Sequence, residues 1–86
     1  MFKVGIAYRV HNEQQLRQAV EKAKQQGITV NDDFIKEALN SGYLPELCIY
    51  KEAGRSNLTY CSVAYFKHHA IPIVPFIQFK DYYNKL

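Results

Sequence analysis

Two β-prone runs, Glu46 to Glu52 and Asn57 to Ser62, flank the short segment Ala53-Gly54-Arg55-Ser56, and this arrangement constrains the chain more than any other feature. A loop of that length with a turn-permissive glycine closes an antiparallel hairpin, and centring it there fixes the register. Ile49 then faces Tyr60, Tyr50 faces Thr59, and Cys48 faces Cys61. Facing residues fall within the Cα separation that a disulfide spans. Two cysteines without a signal-type leader nevertheless read as free thiols in a reducing compartment, which makes the cytoplasm the expected location.

A lone hairpin is marginal in water, so the flanking segments must cover it. Phe2 to Val10 alternates, with Phe2, Val4, Ile6, Tyr8 and Val10 on one face and Lys3, Gly5, Ala7 and Arg9 on the other. That period predicts a strand with one buried side. The low Gly5/Ala7 face either admits another element or simply tolerates small residues. Asn12 is a good N-cap with Gln15 at the capping-box position, and Leu16, Ala19, Val20 and Ala23 form one apolar helical stripe ending at Gly27. Glu13 and Arg17 add a favourable i,i+4 pair. After the β-prone link Ile28-Thr29-Val30, Asn31-Asp32-Asp33 offers three caps for a short helix carrying Phe34, Ile35, Ala38 and Leu39 and stopping at Gly42.

Tyr43-Leu44-Pro45 turns into the hairpin. Beyond it, continued alternation would make one long strand. Ser62 as an N-cap instead predicts a helix over 63–70, with Tyr65 and Phe66 inward and Lys67-His68-His69 near its C-terminus, where cations suit the dipole. Ile71 to Val74 reads as a buried strand with Pro72 at its start or at a sheet edge. Pro75 fits the first turn of a closing helix containing Phe76, Phe79, Tyr82 or Tyr83, and Leu86. The order β-α-(α)-β-β-α-β-α makes residues 1–86 a single domain of the α/β (α+β) two-layer class. Its small mixed sheet of about four strands is covered by helices, mainly on one side.

The totals narrow the function classes. A chain of 86 residues buries only about 60–65% of its unfolded surface, so its twelve aromatics (seven Tyr, five Phe) matter to the core. Eleven Lys and Arg against eight Asp and Glu give a charge of +3, but the cations are scattered between acids. Nucleic-acid readers gather cations on one stripe, so binding of that kind is not favoured. No apolar run reaches membrane length.

The element order resembles a loose group of small uncharacterised proteins of tailed bacteriophages and prophages. The likeness is carried by the strand and Gly-terminated helix (Asn12 to Gly27), the step Leu58-Thr59-Tyr60-Cys61-Ser62 after a hairpin, and the closing strand and aromatic helix (Ile71 to Phe79). It covers most of the chain; Asn31 to Gly42 departs from it in being more helical. It implies a phage-type accessory protein in the host bacterial cytoplasm and transfers no catalytic residues.

The residues themselves offer few sites. His11, His68, His69, Cys48 and Cys61 lack the local ligand pairs of a zinc site, and adjacent histidines on a helix point about 100° apart. Cys61 with His68 or His69 lacks the third group that orients a catalytic base. Asp32 and Asp33 are explained by helix capping and the macrodipole. Arg55 with Ser56, Asn57 and Lys51 could hold an anion, without the repeated glycines of a phosphate loop. Tyr43, Tyr50, Tyr65, Tyr82 and Tyr83 exceed what so small a core can bury, so they either rim that core or line a protein interface. The expected function is therefore non-catalytic protein binding, inhibiting a host or anti-phage defence factor or joining copies of the chain, with no cofactor and no metal. The alternative is a small nucleotide- or nucleic-acid-binding module built on the Arg55 loop.

Overall fold

A computed structural model describes residues 2–76. Four strands form one mixed sheet: β1 (Ala7–Val10), β2 (Leu47–Lys51), β3 (Leu58–Ser62) and β4 (Ile73–Pro75), in the order β3-β2-β1-β4. Helices α1 (Glu13–Gln25) and α2 (Phe34–Asn40) follow β1, and α3 (Val63–His68) joins β3 to β4. This is the small mixed α+β sheet that the element pattern predicts. Among the described residues no helix is long and apolar enough to cross a membrane.

The hairpin has the predicted register, with Cys48 opposite Cys61, Ile49 opposite Tyr60 and Tyr50 opposite Thr59. Each strand is a little shorter than predicted. Strand alternation then sorts side chains to two faces. Tyr8, Val10, Leu47, Ile49 and Leu58 join Leu16, Ala19, Val20 and Ala23 of α1 and Phe34 and Ala38 of α2 in the main core. On the opposite face Ala7 and Cys48 pack with Val63 and Phe66 of α3. The small residue at position 7 is thus what lets α3 approach the sheet.

Helix α1 follows its sequence signals closely. The Asn12 side chain accepts a hydrogen bond from the Gln15 N–H at 2.8 Å, while Gln15 Oε1 accepts from the His11 N–H at 2.8 Å. At its end the Gly27 N–H donates to Lys24 O and the Ile28 N–H to Ala23 O, each at 3.0 Å. Gly27 has φ +88, the left-handed turn that closes such a Schellman end. Helix α2 differs: Asp33 occupies the cap position but its side chain makes no capping bond. Asn31 Oδ1 instead accepts from Asn57 Nδ2 at 3.2 Å, tying the helix entry to the hairpin.

Three expectations need correction. The strand predicted over Phe2 to Val10 covers only its second half. Gly5 takes φ +86 and its N–H bonds Lys51 O at 3.1 Å, so the chain turns there and leaves Val4 53% exposed. Phe2 still reaches the core, edge-on to Tyr8 at 4.8 Å, and its backbone exchanges bonds with the Gln26 side chain. Second, Phe66 turns inward from α3 but Tyr65 does not, remaining 47% exposed. On a helix adjacent residues point about 100° apart, and only one of the two can meet the sheet.

Third, the last strand runs from Ile73 to Pro75, so Pro75 closes β4. The strand pairs parallel with β1 at the sheet edge, and the Ala7 N–H donates to Pro72 O at 2.9 Å. Alternation directs Pro72 and Val74 toward β1 and Ile73 and Pro75 away from it. Pro75 therefore removes no donor from the ladder. The closing helix expected beyond it, with Tyr82 and Tyr83, lies outside the described residues.

Candidate functional site

Among the described residues the candidates do not converge on one point. In the hairpin loop Arg55 Nε pairs with Glu52 Oε2 at 2.8 Å, and the Arg55 side chain is 71% exposed. Lys51 Nζ bonds Glu52 O at 3.0 Å, and Ser56 Oγ bonds Asn57 Oδ1 at 3.0 Å. The loop is thus closed on its own groups, with a carboxylate already against its guanidinium.

Among the described residues the candidate tyrosines divide between the two faces of the sheet. Tyr43 is exposed beside Tyr60, with ring centroids 6.4 Å apart, and Tyr60 stands edge-on to Phe34 at 5.4 Å. Burial pushes the Tyr60 hydroxyl above its usual range, with the Glu37 carboxylate adding in the same direction. On the other face Phe66 is the centre of a cluster. Tyr50 packs on it at 5.1 Å, Tyr65 meets it edge-on at 5.2 Å, and Tyr65 also lies 4.3 Å from the His69 ring.

Helix α3 holds that cluster in place through local signals. Ser62 Oγ accepts from the Tyr65 N–H at 3.2 Å and caps the first turn. At the other end the Ala70 N–H donates to Lys67 O at 3.1 Å and the Ile71 N–H to Phe66 O at 2.9 Å. Because α3 has less than two turns, it covers only part of the sheet. The uncovered part is an open groove of about 580 Å³ lined by Tyr50, Cys61, Tyr65, Phe66, His69 and Ile71. A smaller hollow of about 200 Å³ lies on the α2 face, bounded by Asn31, Phe34 and Glu37. Sequence reasoning named Tyr50 and Tyr65 but missed Tyr60, Phe66 and Glu37; the turn of α3 and the position of β3 in the sheet decide their roles.

Cys48 and Cys61 are free thiols facing each other across the hairpin. Burial pushes the Cys48 thiol from 9.0 up to about 11, against a smaller opposing pull from the Arg9 charge. A thiol so placed is a poor nucleophile and behaves as a small apolar side chain. Among the described residues no three His, Cys, Asp or Glu side chains stand close enough to share a metal ion. His68 and His69 lie at the end of α3 with their rings 5.3 Å apart and nearly perpendicular. No protein-family model, curated protein or solved structure matches the chain.

Proposed function

We propose that the chain is a non-catalytic accessory protein of phage type that acts by binding another protein, a host or defence factor, through the aromatic face around Tyr65. The observation that carries this reading is the exposure of Tyr65 on a platform of Phe66, Tyr50 and His69, beside an open groove rather than a closed polar cleft. Large rings with polar tips, half seated on a rigid support, bury much area on binding at small cost in side-chain freedom. The Glu52 carboxylate at Arg55 makes an anion-binding role for the hairpin loop the weaker alternative.

The test is affinity capture from a bacterial host lysate with the full chain and two variants. A stoichiometric partner recovered by the native chain, lost with Tyr65→Ala and kept with Arg55→Ala, is the expected result. A nucleotide or nucleic acid that co-purifies and depends on Arg55 would overturn the reading. So would turnover of a substrate that Cys61→Ala abolishes.

A further inference from the structure

We propose that the partner enters as an extended segment added to the free edge of β3, with alternate side chains seated on opposite faces of the sheet. This rests on the protein-binding reading and specifies how binding occurs. The outer position beside β3 is already partly used. Thr29 pairs there with Asn57: its N–H donates to Ser56 O at 3.2 Å, and the Leu58 N–H donates to its carbonyl at 2.9 Å. Beyond Val30 the chain turns into α2 and leaves that position.

Leu58 thus directs its backbone groups away from β2, and two residues on Tyr60 must do the same. The Val63 N–H to Glu46 O bond at 2.8 Å fixes the same phase, since it puts Thr59, Cys61 and Val63 on the side facing β2. Among the described residues nothing bonds the outward N–H and C=O of Tyr60 or the outward N–H of Ser62.

Thr59 and Tyr60 are shared by both concavities, which flank this edge on opposite faces. A residue paired with Tyr60 shares its side of the sheet and meets Phe34, Asn31 and Glu37. The Glu37 carboxylate has no cation partner among the described residues, so this position favours lysine or arginine. Residues on either side of it, paired with Thr59 and Cys61, meet the larger groove of Tyr50, Tyr65 and His69, which suits an aromatic or large aliphatic side chain. The recognised chemistry is an extended aromatic–basic–aromatic segment. Main-chain bonds supply affinity and the two concavities supply selection, as in other cases of strand addition.

The probe is a fluorescein-labelled hexapeptide alternating lysine and phenylalanine, titrated by fluorescence anisotropy against the full chain. Binding is expected at a Kd on the order of 100 μM, as befits so short an edge. One version of the peptide is N-methylated on every lysine amide and another on every phenylalanine amide. One version should bind at least about tenfold more weakly than the parent and the other within about threefold, because only alternate amides face the edge. Loss with lysine methylation marks an antiparallel segment; loss with phenylalanine methylation marks a parallel one.

On the protein side, Ser62 has φ −76, already within the proline range, and its N–H faces outward. Ser62→Pro should weaken the parent peptide about fivefold or more relative to Ser62→Ala, which removes only the cap. Equal tolerance of both methylations overturns the inference, as does no binding at about 1 mM. If both methylated versions fail, equal affinities of Ser62→Pro and Ser62→Ala overturn it. A captured partner that depends on Tyr65 but is indifferent to Ser62→Pro would sink strand addition and leave the protein-binding reading standing. Absence of any Tyr65-dependent partner would sink that reading itself.

Discussion

Replacing Ala70 by glycine should stabilise the fold by about 0.5–1 kcal/mol. Ala70 is the residue after the cap of α3 and has φ +55, the left-handed region in which glycine is the usual occupant. The conformation is held by the bonds from Ala70 to Lys67 and from Ile71 to Phe66. An L-residue there costs roughly 1–2 kcal/mol. The Ala70 methyl is exposed, so its loss removes little packing. Glycine gives back roughly 0.4–1 kcal/mol through the greater freedom of the unfolded chain. At roughly 4–8 °C per kcal/mol for a domain of this size, the melting temperature should rise by about 2–8 °C. Far-UV circular dichroism on heating and in urea measures it, with an unchanged urea dependence showing that the unfolded state is comparable. Ala70→Val should move the other way, since a β-branched residue fits that region worse. A glycine variant no more stable than the parent would refute the reasoning.

Three further outcomes follow from the same geometry. Because Cys48 holds its proton up to about pH 11 when folded and releases it near 9.0 when unfolded, the unfolded chain binds fewer protons in that window. Stability should be full below pH 9.0 and fall by roughly 2–3 kcal/mol as pH rises through the window; urea midpoints should show it, with a shallower fall in Cys48→Ala. Tyr60, raised in the same direction, adds to the loss. Asn12→Ala should cost about 1 kcal/mol in urea unfolding by removing the α1 cap, and Asn12→Asp should keep most of it. Phe66→Ala should cost roughly 3–5 kcal/mol, against less than about 1 kcal/mol for exposed Tyr65→Ala; equal losses in thermal melts would mean that Tyr65 is not a free surface residue.

Local chemistry made much of this fold legible. The loop around Gly54 sets the hairpin register, and cap, stripe and terminal glycine bound α1 to within a residue or two. Ser62 resolves the strand-or-helix ambiguity after β3 because its side chain does cap Tyr65. What sequence could not supply was non-local. The alternating pattern continues through Gly5, where a backbone bond to Lys51 bends the chain. Which of Tyr65 and Phe66 faces the sheet depends on how α3 lies over Ala7 and Cys48. The candidate site was the least legible part, because its position depends on β3 being outermost, a property of sheet order that no short motif encodes.

The outward nitrogen of Pro75 gives the molecule a polarity that its strand count alone would not suggest. Repetitive stacking of copies into a filament needs a receptive border at both ends of each sheet. At Pro75 one border is blunted by a missing donor, while among the described residues nothing bonds the other at Tyr60. A segment added at Tyr60, as proposed above, would find no donor at Pro75 to carry the pairing onward, so association through the backbone is expected to end after a single step.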